Sequence, residues 1–299
     1  MQVTRLAALG GSGQRALRDW IFDWEVVMDK GRVFRQLHER SEIFLMPNPW
    51  DPGTTKFLAS MGFKALATSS AGFAFSRGLP DGTITFDVMM QHCRDLVGAT
   101  DLPISGDLEK GKGDSADSAA ETIFAAEAAG LAGCSIEDFS GDPDKPIYDF
   151  SLAVERVAAA AEAARALKTD FVFTARAENF LHGQTDFDDT IKRLQAFEKA
   201  GADVLFAPGI SDIERIRTIC ASVSKPVSVL APASLTVSEL ASIGVRRISL
   251  GPRLTTAAFT AVRDAAREVL DKGTFEFTKT GVPFGDLQQL FSQGMDKDS

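Results

Sequence analysis

From residue 42 onward, short apolar runs alternate with longer helical patterns, and the alternation repeats eight times before residue 252. The runs read EIFLMP, KALAT, PISGD, GCSIE, DFVFTAR, DVLFAP, PVSVLA and RRISLG. Between them lie segments rich in Ala, Leu, Glu, Lys and Arg, such as SAAETIFAAEAAG, SLAVERVAAAAEAARALK and FDDTIKRLQAFEKAG. In the last, Ile191, Leu194 and Phe197 fall at helical spacing, with Lys192, Arg193 and Glu198 on the other faces. Eight strand-helix alternations predict an α/β fold, a closed parallel (β/α)8 TIM barrel. An open doubly wound sheet is the alternative, but the first strand-helix turn carries no G-x-G-x-x-G phosphate loop. Gly62, Gly130, Gly201 and Gly244 stand where four helices must stop before the next strand, as left-handed terminating residues.

A chain of 299 residues, 44% hydrophobic and 24% charged, can fill a barrel of this kind as one unit. No Pro- or Ser-rich linker divides it. The expected organisation is an N-terminal extension over residues 1–40 and a barrel domain over 41–299. The closing stretch FEFTKTGVPFGDLQQLFS is too short for another domain. Its Phe275, Phe277, Phe284, Leu287, Leu290 and Phe291 call for a docking surface, on the chain's own barrel or on a neighbouring subunit.

Cys93, Cys134 and Cys220 are odd in number, widely spaced and free of any C-x-x-C pattern, which argues against a disulfide framework or a zinc site and for a reducing compartment. A net charge of -9 without a long basic run argues against nucleic acid as a partner. No stretch approaches the ~18 apolar residues of a membrane span. The start, MQVTRLAALGGSGQRALRDW, is basic and acid-poor like a transit peptide but lacks an apolar core of the secretory kind. The expected location is the cytoplasm.

The chemistry gathers at strand ends, where a barrel's loops vary without disturbing its core. PISGDLEKGKGD sets Asp107 and Glu109 two apart after the third run, so that alternation along an extended chain turns both toward the mouth. GCSIEDF ends on Glu137 and Asp138, FVFTARAENF on Arg176 and Glu178, and the loop GLPDG adds Asp81. Acids converging on one mouth repel each other, and a hard divalent cation relieves that repulsion: Mg2+, with Mn2+ as its substitute. His38, His92 and His182 lie away from these positions in sequence, which disfavours zinc. Arg176 reads either as the ion-pair partner of a barrel acid or as a planar fork for a substrate carboxylate. ATSSAG, residues 67 to 72, offers small residues whose backbone N–H groups and Ser69 or Ser70 hydroxyls suit an anion. Trp50, in NPWDPG, reads as a cap on the core or as an apolar wall of the pocket.

These stretches, together with AGLAGCSIED, EKAGADVLFAPG and LASIGVRRISLGPRLTTAA, resemble in co-linear order the isocitrate lyase and phosphoenolpyruvate mutase superfamily, over about residues 44 to 265. The resemblance implies a (β/α)8 barrel, a magnesium site, small 2-oxo or 2-hydroxy carboxylates as substrates, and homodimers or homotetramers in which a C-terminal helix packs on a neighbour. By the same resemblance Asp107 matches the acid that holds magnesium directly, and Asp81, Glu109 and Glu137 match acids that bind its waters. Ser69, Ser70 and Ala71 match the loop receiving the substrate's anionic end, Trp50 an aromatic near it, and Arg176 the substrate-binding arginine.

Departures from the pattern narrow the chemistry. Isocitrate and methylisocitrate lyases carry K-[KR]-C-G-H in the loop after SIED, and phosphonate-cleaving members carry a lysine and an asparagine there; this chain has FSGDPDKPIYDF, with Lys145 and no asparagine. Cys134 lies within the preceding strand and reads as core. Lys112 replaces an aromatic usual in relatives and reads as a positive charge at the mouth or an exposed surface lysine. Tyr148 and Asp149 are the available general acid or base groups, unless Tyr148 packs against the rim. Asp81, Arg176, Lys112 and Tyr148 thus form the expected catalytic set. The expected activity is Mg2+-dependent cleavage of a carbon-carbon bond in a small oxo- or hydroxy-dicarboxylate through an enolate. Phosphorus-carbon chemistry is the alternative, and a barrel that binds a small acid without turnover is a third.

Overall fold

The computed structural model describes residues 29–292, and all eight expected strands are present. They are β1 (Phe44–Met46), β2 (Leu66–Ala67), β3 (Ile104–Asp107), β4 (Gly133–Glu137), β5 (Val172–Arg176), β6 (Val204–Phe206), β7 (Val227–Leu230) and β8 (Arg247–Ser249). All pair in parallel, in the order β1-β8-β7-β6-β5-β4-β3-β2. The seam between β1 and β2 has no ladder. It is closed by the Ala67 N–H donating to the Pro47 carbonyl at 3.1 Å and by Asn48 Nδ2 donating to the Thr68 carbonyl at 2.8 Å. Asn48 Oδ1 in turn accepts from Ser249 Oγ and from the Leu250 and Gly251 amides, so one buried asparagine ties β1, β2 and β8 into a ring.

The helices between strands are α2 (Pro52–Ser60), α3 (Ser70–Ser76), α4 (Phe86–Val97), α5 (Ala116–Ala128), α6 (Phe150–Ala166), α7 (Phe187–Ala200), α8 (Ile213–Ser222) and α9 (Val237–Ser242). The four glycines expected to end helices adopt positive φ: Gly62 at 91°, Gly130 at 80°, Gly201 at 107° and Gly244 at 96°. On α7, Leu194 and Phe197 are buried as expected, but so is Arg193, which the sequence placed on a polar face. Its guanidinium reaches Asp138 at 3.1 Å and Asp189 at 2.7 Å, which supplies the charge that a buried arginine needs.

Helix α1 (Lys30–Glu39) precedes the barrel and stoppers its base. Asp29 caps it, its side chain accepting from the Gly31 and Arg32 amides. Phe34, Leu37 and His38 fall on one face at i, i+3 and i+4, and Phe34 and Leu37 pack with Phe44, Val172 and Val204 from inside the ring. Burial of such a side chain is worth roughly 1.5–3 kcal/mol. Gly31 is obligatory here, because a Cβ would lie 1.5 Å from the Asp170 carbonyl oxygen. Residues 30–39 of the expected extension are therefore the barrel floor; residues 1–28 lie outside the described residues.

Above that floor the inward residues change character by alternation along the strands. A middle layer is polar: Ser105, Ser135, Thr174, Ser228 and Arg247. One step higher come Asp107, Glu137 and Arg176, with Glu137 and Arg176 directly paired across β4 and β5. After β8, helix α10 (Arg253–Lys272) buries only Thr255, and α11 (Phe284–Ser292) buries nothing fully.

Candidate active site

Arg176 organises the mouth. Its Nη1 donates to Asp107 Oδ1, its Nη2 lies 3.1 Å from Glu137 Oε2, and its Nε donates to Glu178 Oε1 at 2.9 Å. The guanidinium also lies over the Phe206 ring, 5.5 Å from its centroid. Three carboxylates surrounding one cation hold the arginine firmly protonated, against the burial that works the other way. The ion-pair reading of Arg176 is thus realised, and the fork expected for a substrate carboxylate is largely committed to acids.

Asp107 closes β3. Its Oδ2 accepts from both the Ser70 amide, at 3.0 Å, and the Ser70 hydroxyl, at 3.1 Å. Ser69 caps α3, its Oγ accepting from the Gly72 amide at 3.0 Å. The Ser69–Ala71 loop lines the cavity, yet Ser70 turns its donors to Asp107. β3 stops at Asp107, so simple alternation does not carry Glu109. Leu108 is buried, Glu109 takes a left-handed φ of 51°, and that turn aims Glu109 into a lobe adjoining the one that Asp107 lines. Asp81 stands at the rim between both lobes.

The acids feel one another. Burial, then the Asp107 and Asp81 charges, push Glu109 up to about 7. Desolvation and then Asp107 raise Asp81, and burial raises Glu137 strongly despite Arg176 beside it. Five carboxylates thus face one guanidinium at the mouth: Asp81, Asp107, Glu109, Glu137 and Glu178. Hard oxygen donors with surplus negative charge fit Mg2+. Among the described residues no three of them converge closely enough to hold an ion directly. That suits an ion which takes one or two carboxylates and keeps several waters. Asp107 would bind it, with Asp81, Glu109 and Glu137 reaching its waters.

The structure separates the remaining expected residues from this mouth. Lys112 Nζ pairs with Glu121 at 2.5 Å on the outer surface, half exposed, because the loop turns outward at Gly111. Tyr148 donates its hydroxyl to Asp114 at 2.5 Å, and its ring packs on the Arg156 guanidinium. Arg156 in turn donates to the Lys110, Gly113 and Ser115 carbonyls, so Tyr148 belongs to a clamp on the loop after β3. Trp50 is outside the residues lining either lobe; its carbonyl meets His92 Nε2 at 3.0 Å. The segment 139–148 folds back on itself, with Phe139 bridged to Ile147 and Ser140 to Pro146, and Lys145 pairs at the surface with Asp149. Cys134 is buried in β4, as core.

His182 is the correction in the other direction. Set apart from the acids in the sequence reading although it stands only four residues after Glu178, it lines the lobe of Glu109 and Glu137, stacked on Phe139 at 3.7 Å with Nε2 4.0 Å from Glu178 Oε2. The signal for it was position alone: it follows β5 by six residues, within the loop that the barrel mouth draws on.

The model of the phosphoenolpyruvate phosphomutase family matches residues 34–270, the whole barrel from α1 into α10. The chain belongs to this family. A crystal structure from Burkholderia cenocepacia J2315, described as a lyase/mutase, is 50% identical, covers 88% of this chain and 95% of its own, and superposes with a TM-score of 0.86. The 2-methylisocitrate lyase of Escherichia coli (strain K12) is 32% identical over 74% of this chain and 76% of its own length. A phosphonopyruvate hydrolase in complex with oxalate and Mg2+ shares the fold, with a TM-score of 0.79, 22% identity, and coverage of 89% of this chain and 96% of that one. This family member thus stands among lyases and mutases, on their common barrel.

Proposed function

We propose that the protein is a Mg2+-dependent lyase that breaks a carbon-carbon bond in a small 2-oxo or 2-hydroxy dicarboxylate. One observation carries the reading: Asp107 and Glu109 from the end of β3, Glu137 from the end of β4 and Asp81 from the loop after α3 line one mouth, where Arg176 pairs directly with Asp107 and Glu137. The bond to be broken lies next to a carbonyl, and its electrons come to rest on an enolate oxygen. When bound, Mg2+ supplies Lewis-acid stabilisation of that charge. The chain's own residues do the rest. Arg176 keeps Asp107 and Glu137 at fixed separation, and Ser70 fixes the second oxygen of Asp107. Phe206, Leu181 and Pro208 enclose the cavity and limit water. His182, stacked on Phe139 in the lobe that Glu109 also lines, is the imidazole placed to take and return a proton there, with burial lowering its pKa from the usual 6.5, the part for which Tyr148 and Lys112 are placed elsewhere.

The resemblance to a 2-methylisocitrate lyase supports carbon-carbon cleavage. Phosphorus-carbon cleavage lacks a lysine facing the cavity from the loop after β4, because Lys145 is engaged by Asp149. The test is incubation with oxaloacetate and with branched malates in the presence of Mg2+, following oxalate and pyruvate. Turnover that stops on adding a chelator supports the proposal; absence of turnover across the series with metal present overturns it. Phosphonopyruvate followed by phosphorus NMR should remain unchanged.

A further inference from the structure

Arg247 lies at the first position of β8 with 2% of its surface exposed, inside the barrel and below the acid cluster. No carboxylate pairs with it among the described residues. Its Nε donates to Ser228 Oγ at 2.9 Å, its Nη1 meets His38 Nε2 at 3.2 Å, and its Nη2 donates to Thr174 Oγ1 at 3.1 Å. All three partners are neutral. His38 Nδ1 sits 2.9 Å from the Phe34 carbonyl and so carries the ring proton, leaving Nε2 bare to accept from Arg247. A guanidinium has five N–H donors. Three are used here, and one remains on each terminal nitrogen, the pair that the two oxygens of a carboxylate accept.

A buried charge without a counter-charge is costly, and such charges are ordinarily paired. Burial, and then the Arg176 charge, lower its pKa to about 9, so it remains a cation at neutral pH. The contrast with Arg176 is informative. Arg176 is surrounded by three acids, which makes it a poor receptor for a further anion, whereas Arg247 is held in position by neutral groups and its charge is left unmatched. One cavity of about 260 Å³ touches both, running from Asp107 and Arg176 down past Ser105 and Ser135 to Arg247.

We propose that Arg247 receives a carboxylate of the ligand at the bottom of this cavity and thereby selects substrates with a second anionic arm reaching inward from the mouth. The inference rests on the functional reading above and adds the specificity residue: the reacting end stays with the acid cluster, and the distal carboxylate goes to Arg247. Thr174, Ser228 and His38 are positioning residues, which aim the guanidinium without neutralising it.

The test is calorimetric binding with Mg2+ present, using oxalate as a probe for the mouth alone and succinate as a probe for both ends, on wild type, Arg247→Met and Arg247→Lys. A hydrogen bond to a charged group is worth about 1.5–3 kcal/mol, or about 10- to 150-fold in affinity. Arg247→Met is expected to weaken succinate by that factor and leave oxalate within about twofold, with Arg247→Lys in between. Unchanged succinate binding in Arg247→Met overturns the inference while oxalate binding upholds the mouth. If wild type binds neither probe, the functional reading fails and takes the inference with it. Should Arg247→Met not fold, a crystal structure of wild type with succinate and Mg2+ decides: a carboxylate oxygen within hydrogen-bond distance of an Arg247 terminal nitrogen supports it, and a carboxylate elsewhere refutes it.

Discussion

His38 on α1 accepts a hydrogen bond from Arg247 on β8, across the base of the barrel, and the acceptor must be the neutral ring. Burial and the Arg247 charge lower its pKa from 6.5 to about 3. His92, stacked on Phe73 at 3.7 Å, is lowered to about 4, chiefly by burial. In the unfolded chain both rings protonate near pH 6.5. Below that pH the unfolded state binds more protons, so the stability contributed by a neutral buried ring is complete above pH 6.5 and is lost as pH falls toward the folded value. Each ring should cost up to about 2 kcal/mol between pH 6.5 and 5, at 1.36 kcal/mol per unit. Urea unfolding at pH 7 and pH 5 should show a smaller loss in His38→Gln than in wild type. Equal losses would show that His38 does not carry this dependence.

Arg176 and Asp107 form an ion pair whose two halves should respond differently to substitution. Removing Arg176 strands Glu137 and Glu178, both nearly buried, without their cation. Arg176→Ala should therefore destabilise by about 3–5 kcal/mol. Asp107→Asn keeps a side chain that accepts from Ser70 and should cost about 1 kcal/mol. It removes the charge proposed to hold the metal, so the rise in melting temperature on adding Mg2+ should disappear in Asp107→Asn and persist in wild type. A retained Mg2+ shift in the asparagine variant would remove Asp107 from the metal site.

The eight strands were legible because period and punctuation agreed: apolar runs of strand length, helical repeats between them, and glycines that end helices at Gly62, Gly130, Gly201 and Gly244. Asp107, Glu137 and Arg176 were legible because a barrel strand's last inward residue is fixed by alternation. Three things were not. Arg193 and Arg247 look like solvent-facing charges in a sequence, and their burial depends on partners from elements distant in the chain. His182 enters the mouth through a stack on Phe139, contributed by another strand's loop. Tyr148 and Lys112 carry suitable chemistry, and only the course of their loops shows where Asp114 and Glu121 draw them.

Those placements separate candidate proton-transfer groups. Lys112→Ala breaks one exposed ion pair and should leave turnover within about twofold, since such pairs contribute little. Tyr148→Phe loses its bond to Asp114 and should cost about 1 kcal/mol of stability, with little change in turnover. His182→Asn should lower kcat by about 100-fold or more, the usual contribution of a positioned acid or base. Its KM and its Mg2+ affinity should stay close to wild type. Steady-state kinetics on the three variants check the assignment; wild-type kcat in His182→Asn would return the role to another residue.

Helix α10 leaves the barrel with an apolar stripe uncovered: Phe259 is 53% exposed, Val262 67%, and Leu270 84%. Phe275, Phe277 and Phe284 continue it beyond the helix and are also exposed. The helix is 20 residues long, and Thr255 is its single buried residue, so its own barrel does not account for the pattern. Isolated surface hydrophobes are ordinary, but a continuous stripe marks a surface built to be covered. A second copy of the chain is the expected cover, giving a homodimer or homotetramer. Light scattering coupled to size exclusion should find such an assembly in wild type at micromolar concentration. Val262→Glu combined with Leu270→Glu should give monomers with unchanged far-UV circular dichroism, because neither side chain supports the barrel. A monomeric wild type, or an assembly indifferent to both charges, would rule out this stripe as the interface.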